Sequence, residues 1–368
     1  MTGATREPWA QKTEIGLVLQ GGGALGAYEY GAITALFDLI DEALNNGADI
    51  IVRAVTGVSI GAINAACIVG AADRADARKR LTAMWTDFMV QAPFLPSALS
   101  RDLALYSVPR FYTLRADWLT MASWTFLYDT YPLLQTLADH VDFAALNTNT
   151  TAFVITAADV ESGTLTRFAN QPVGAIEPTT IEPRHILASG SIPPQFPWTD
   201  ISDRRGVMHH YWDGGIVDNT PLGDAIDAFS AAPSVRRLLV IMNLFPQTAK
   251  LPATLTQVNE RLDQLRFGNR LRQDSSTARQ MNTLIATIEL LAAHLPEPLP
   301  ADVRDRVDAA RAYKLVEPIE VTLSADAVAD GAYAFCDFSR EGILARRDAG
   351  CGIALAALRP HFHSQLAA

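Results

Sequence analysis

The sequence predicts an α/β fold in which helices cover a mostly parallel sheet. Two observations carry this. Residues 14–20 (EIGLVLQ) form an apolar run of strand length, followed by a glycine-rich turn and a helical pattern. Residues 50–56 (IIVRAVT) begin the same progression again, ending in a second tight turn and a second helix. Strands joined through a helix run parallel, and parallel strands covered on both faces are apolar throughout rather than alternating.

The first helix is expected over 27–44, where Ala32, Ile33, Leu36, Leu39, Ile40 and Leu44 recur at three- and four-residue spacing. A helix of small residues follows from Ala62. Residues 94–131 break the alternation. Nine aromatics fall there (Phe94, Tyr106, Phe111, Tyr112, Trp118, Trp124, Phe126, Tyr128 and Tyr131), punctuated by Pro96 and Pro109, with Pro93 just before. The segment reads either as a cap over an apolar groove, spanning about 91–135, or as a pair of helices packed on the sheet. Residues 151–168 look like two strands around the turn Glu161-Ser162-Gly163, and 183–191 like a short helix. Met208–Trp212 reads as a strand, and 236–245 (RRLLVIMNLF) as a buried one. Beyond Pro252 the texture becomes long amphipathic helix, with Met281, Leu284, Ile285, Ile288, Leu291 and Leu295 as its stripe. Val316–Leu323 is expected as one more strand and Ser339–Leu358 as a last helix.

Composition narrows the function. A chain of 368 residues, 49% apolar and 19% charged, is ordinary for a globular protein and can bury a core without covalent staples. Cys67, Cys336 and Cys351 fit no metal-ligand spacing and read as reduced structural thiols, which favours a cytoplasmic setting. The N-terminal MTGATREPWAQKTE lacks the apolar core of a signal segment, and no apolar run reaches the roughly 18 residues of a membrane span. Any membrane contact is expected to be peripheral. A net charge of −10 repels phosphate-rich partners and argues against nucleic acid as a ligand. Arg261, Arg266, Arg270 and Arg272, interleaved with Glu260 and Asp263, read as a solvated helix face. No cofactor and no metal are expected.

The strongest chemical signal is Gly57-Val58-Ser59-Ile60-Gly61, placed between a strand and a helix. A serine there is forced into a sharp turn that exposes its hydroxyl, and glycine is needed two residues away on either side to avoid a clash across the turn. The turn also puts Ser59 at a helix N-terminus, where developing negative charge is favoured. The run Gly21-Gly22-Gly23-Ala24-Leu25-Gly26 lets several backbone N–H groups converge, as an oxyanion requires. Its literal match to a dinucleotide fingerprint fails, because the second strand ends Val55-Thr56-Gly57 without the acid that would hold a ribose. None of the seven histidines lies in a recognisable catalytic turn. Asp213-Gly214-Gly215, at a strand end, reads two ways: an exposed carboxylate able to act as a base once desolvated, or a plain turn capping the next helix.

Taken in order, Gly21–Gly26, Gly57–Gly61, Ala188-Ser189-Gly190-Ser191-Ile192-Pro193 and Asp213–Gly215 resemble the motif series of the patatin-like phospholipases. The resemblance covers roughly 13–245. It implies a three-layer α/β/α fold and hydrolysis of phospholipid or other lipid acyl esters. It also implies Ser59 as nucleophile, Asp213 as base in a dyad without histidine, and oxyanion donors from Gly22, Gly23 and Ala24. The cap would then line an acyl groove. Many members carry a basic residue where this chain has Leu25, which removes a cation that could hold a phosphate. Residues 246–368 are expected as a mainly helical extension packed on the catalytic domain; its Asp337-Phe338-Ser339 is similar to a bacterial subgroup and has no assigned chemistry. An acyltransferase or thioesterase using the same acyl-enzyme, or a non-catalytic lipid-binding protein, are the competing functions.

Overall fold

The computed structural model describes residues 12–91, 97–232, 235–246, 248–295, 299–311, 313–324 and 334–362. Pro93, Phe94, Pro96 and His363 lie outside them. The chain opens with β1 (Thr13–Leu19), α1 (Gly26–Asn45), β2 (Ile50–Gly57), α2 (Ile60–Val69) and α3 (Arg74–Phe88). The aromatic-rich segment follows as α4 (Ser97–Ala104), β3 (Ser107–Val108), β4 (Tyr112–Leu114) and β5 (Tyr128–Asp129). Then come α5 (Tyr131–His140), α6 (Phe143–Thr148), β6 (Ala152–Asp159), β7 (Leu165–Ala169), α7 (Pro183–Ser189), β8 (Thr199–Ser202), β9 (Met208–Asp213) and α8 (Leu222–Ala228). The chain finishes with β10 (Arg236–Asn243), α9 (Leu255–Ala292), α10 (Ala301–Arg311), β11 (Glu317–Thr322) and α11 (Arg340–Phe362).

Eight strands form one sheet in the order β11-β10-β1-β2-β6-β9-β8, with β7 also on β6. The run from β11 to β6 is parallel; β7, β8 and β9 are antiparallel additions. The strand pleat sorts side chains into layers. Ile15, Leu17 and Leu19 of β1 and Leu238, Val240 and Met242 of β10 face a core shared with α1, α2, α3 and α11. Val18, Leu239 and Ile241 face the other way, onto α8 and the Leu271 and Ala278 positions of α9. The result is a three-layer α/β/α sandwich with a mostly parallel sheet, as expected. The residues beyond 246 contribute to that same sheet, since β11 pairs in parallel with β10. Their last helix lies directly on the first, because Gly31 of α1 and Gly350 of α11 leave no side chain between two touching backbones.

One topological detail positions the site. β7 occupies one edge of β6 along Val154–Ala158. Both β2, paired at Ala152–Ile155, and β9, paired at Ala157–Asp159, therefore share the opposite edge, end to end. They run toward each other, so Gly57 stands opposite Ile155 and Asp213 opposite Ala157.

The aromatic segment is not a pair of helices. β3, β4 and β5 make a small antiparallel sheet whose strands of two or three residues are too short to show a period. Phe111 and Tyr112 are buried against Phe88, Phe196 and Phe338, with Phe111 stacked 4.8 Å from Phe88. Trp118, Leu119 and Met121 instead face solvent. The stripe expected on α9 is also only partly buried: Ile285 is enclosed, but Leu284, Leu291 and Leu295 are exposed. Among the described residues of α9, the buried ones are Leu271, Ser275, Ala278, Ile285 and Ala292, three of them small, and Leu271 and Ala278 pack on the sheet.

Candidate active site

β2 ends at Gly57 and α2 begins at Ile60, leaving Val58 and Ser59 to reverse the chain. Ser59 pays in backbone geometry, with φ 55° and ψ −124°; among the described residues it alone is a non-glycine at positive φ. A Cβ on Gly57 would lie 2.5 Å from the Gly61 carbonyl oxygen, and one on Gly61 would lie 2.6 Å from that of Leu19. Neither position admits a side chain, which is the physical content of the spacing read from sequence. Short bonds lock the turn: Val58 N–H donates to Leu19 C=O at 3.2 Å, Gly61 N–H to Val58 C=O at 2.8 Å and Ala62 N–H to Ser59 C=O at 2.9 Å.

Asp213 is the last residue of β9 and is buried. The Ser59 side chain stands beside its carboxylate, whose Oδ1 accepts the Gly215 N–H at 2.7 Å. Burial pushes its pKa up to about 7, outweighing the Ser59 side chain and the Gly215 N–H, which pull the other way. The Ala188–Pro193 motif acts as a strap between the two residues. Ser59 N–H donates to the Ser189 carbonyl at 3.1 Å and to its Oγ at 3.0 Å, while Asp213 N–H donates to Ser191 C=O at 3.0 Å.

The glycine loop passes beside the elbow, since a Cβ on Gly21 would lie 3.0 Å from the Ser59 Cβ. Asn219 clamps Gly21 from both sides: Gly21 N–H donates to Asn219 Oδ1, and Asn219 Nδ2 to Gly21 C=O, each at 3.1 Å. Among the described residues, the amides of Gly22 and Gly23 have no protein acceptor. Ala24 differs from the expectation. Its N–H donates to the Phe335 carbonyl at 2.8 Å, so it is already engaged and does not stand free for an oxyanion. Phe335 lies more than 300 residues further along the chain, and no local pattern announces it. Leu25 is buried in the core. Gly26 opens α1 against Ile60, and Gly214 and Gly215 form the turn after Asp213 against Thr156 and Asn219.

A second buried acid was not anticipated. Glu29, on α1, accepts Gln20 N–H at 2.7 Å and Asn64 Nδ2–H at 2.9 Å, and burial raises its pKa to about 8. Asn64 in turn accepts Trp85 Nε1–H at 2.9 Å. The available signal was an acid inside an otherwise apolar turn, Ala27-Tyr28-Glu29-Tyr30-Gly31-Ala32.

The six described histidines all have partners away from Ser59 and Asp213. His140 meets Asp87, His209 meets Asp159, His210 lies between Glu161 and Asp200, and His361 meets Glu317. His185 Nδ1 accepts the Glu182 N–H in a helix cap, and His294 bonds the Leu290 carbonyl. Among the described residues, no group of three or more His, Cys, Asp or Glu is placed to hold a metal ion. Nor is any described helix long and apolar enough to cross a membrane.

Comparisons with known proteins bear on the whole arrangement. Among curated protein sequences, none matches the chain. Among solved structures, it is similar to VipD from Legionella pneumophila, at 14% identity and a TM-score of 0.40, covering 95% of this chain and 67% of that one. It is also similar to the ExoU–SpcU complex from the type III secretion system of Pseudomonas aeruginosa, at 16% identity and a TM-score of 0.29, covering 97% of this chain and 71% of that one. The family model described as patatin-like phospholipase matches residues 17–226, a span that contains the glycine loop, the Ser59 elbow, the Ser189 strap and Asp213. With more than half of its length matched in this way, the chain belongs to the patatin-like phospholipase family.

Proposed function

We propose that the protein is a serine acyl hydrolase of lipid esters in which Ser59 attacks the acyl carbon and Asp213 takes its proton. The single observation that carries this reading is a strained, turn-borne serine beside a buried carboxylate whose pKa is raised to about 7. A carboxylate of ordinary acidity is a poor base; one raised to neutrality matches the pH at which it would work. The Gly22 and Gly23 amides are the proposed donors to the tetrahedral oxyanion.

The sequence of steps follows from these groups. Ser59 Oγ bonds to the ester carbon as its proton passes to Asp213, and the carbonyl oxygen becomes the oxyanion. Collapse breaks the ester C–O bond, and the departing alcohol leaves with the proton from Asp213. Water then repeats the cycle on the acyl-enzyme and releases the fatty acid. Residues 13–245 hold every reacting group in this scheme.

The test is a hydrolysis screen of p-nitrophenyl esters and phospholipids with a Ser59→Ala control. The variant deletes one oxygen and should fold like the wild type, yet lose turnover by a factor on the order of a million. A fluorophosphonate probe should label the wild type and leave Ser59→Ala unlabelled. Equal labelling of the two would move the nucleophile elsewhere.

A further inference from the structure

The Ala24–Phe335 hydrogen bond joins the glycine loop to a segment well outside the matched residues 17–226. That segment is knotted. Asp337 and Arg346 are each 4% exposed and form an ion pair, Arg346 Nη2 to Asp337 Oδ2 at 3.2 Å. Arg346 Nη1 also donates to the Asp337 backbone carbonyl at 2.8 Å. The other carboxylate oxygen, Oδ1, accepts Ser339 Oγ–H at 2.5 Å and Ser339 N–H at 3.2 Å. Outward from the turn, Val90 N–H donates to Phe338 C=O at 2.8 Å, and the Phe338 ring packs on Trp85, Phe88 and Phe111. The Phe335 ring stacks on Phe245, just beyond β10. The turn is thus tied to α11, to the end of α3 and to the sheet, with one carbonyl reaching the glycine loop.

The loop needs such a tie. Gly23 sits at φ +54°, and a Cβ on it would collide with the Phe335 carbonyl. A run of glycines has no conformational preference strong enough to hold one arrangement of its amides. Fixing the Ala24 N–H on Phe335 and Gly21 on Asn219 leaves two intervening amides held from both ends.

We propose that Asp337 and Arg346 are positioning residues for the oxyanion hole: their buried pair holds the Phe335 carbonyl on the Ala24 amide, and that bond sets the Gly22 and Gly23 amides for catalysis. The proposal rests on the acyl-hydrolase reading above. Its signature is a loss in turnover without a loss in substrate binding, because only the transition state calls on the oxyanion donors.

The experiment uses the full chain and a soluble p-nitrophenyl ester. Asp337→Asn keeps the shape and removes the charge that fixes Arg346. It should lower kcat by about 10- to 100-fold, the scale on which misplaced reacting groups act, with KM within about twofold. A trifluoromethyl ketone of the same acyl chain, which forms an oxyanion on Ser59, should bind more weakly by the same factor, while a non-reacting ether analogue binds as before. Arg346→Lys, which keeps the charge and one donor, should fall between. Leu271→Ala, a cavity on the opposite face of the sheet, controls for general loosening and should leave kcat unchanged. A folded Asp337→Asn with wild-type kcat, or with a loss shared equally by Leu271→Ala, would overturn the positioning role. If Asp337→Asn does not fold, Ser339→Ala carries the test: removing one bond to Asp337 should cost kcat severalfold at constant KM, and wild-type kcat would again overturn the proposal. Retention of activity by Ser59→Ala would overturn the nucleophile assignment, and the positioning role with it.

Discussion

At the scale of single residues, the proposed chemistry turns on the environment of Asp213. Its carboxyl gives up its proton near pH 7 in the fold but near the ordinary 3.8 when exposed. Used as a base, it must be ionised, so kcat/KM should rise with pH through about 7 and then level off; a profile already flat at pH 5 would take the base role from it. Stability moves the other way. Between those two values the folded state holds a proton that the unfolded state has lost, so this group's contribution is complete below about pH 4 and is lost as pH rises through about 7. Asp213→Asn has no charge to desolvate. It should be inactive, and at pH 8 more stable than the wild type by more than about 1 kcal/mol, with the difference fading toward pH 4 in paired thermal melts. Glu29 titrates in a neighbouring range in both proteins and cancels from that comparison. Much of this site was legible in sequence, since strand–turn–helix logic fixes Ser59 and its flanking glycines locally. The carbonyls of Ser189, Ser191 and Phe335 were not, because a backbone acceptor leaves no mark in the residue type that supplies it.

At the scale of elements, long apolar strands and the regular stripe of α1 were readable, while two- and three-residue strands were not. The segment predicted as a cap or a helix pair became a small sheet with two unlike sides. Phe111 is enclosed by rings from α3, β4 and the C-terminal turn. Trp118 is 56% exposed and touches Trp124 at a ring distance of 5.5 Å, with Arg115 stacked over Trp124. The two aromatics should respond differently to truncation. Phe111→Ala should cost about 3–5 kcal/mol of stability, read from denaturant melts. Trp118→Ala should cost under about 0.5 kcal/mol, as exposed sites do. If the exposed side receives acyl chains, Trp118→Ala should also hurt long-chain esters more than acetates, by up to ~0.8 kcal/mol for each buried CH₂ that loses its contact. Equal losses at every chain length would make it a bystander.

At the scale of the molecule, the C-terminal third is part of the sandwich. β11 pairs along the edge of β10, and α11 lies backbone to backbone on α1. Its helical texture was visible in sequence, but its membership of the central sheet was not, since six residues of strand declare no partner. A chain ending at residue 311 would uncover both the β10 edge and the face of α1, and should show no cooperative thermal transition. A sharp transition in that truncated chain would mark the last third as a separable module. The meeting of β2 and β9 along β6 carries a further consequence. The gap between Ser59 and Asp213 is measured out by ladder rungs on a third strand, like two carriages on one rail. It can change only in steps of about 3.4 Å, and a single step would also turn the carboxylate to the opposite face. Surface loops can lengthen or shorten without disturbing that spacing, whereas one residue inserted in β9 would turn Asp213 away from Ser59.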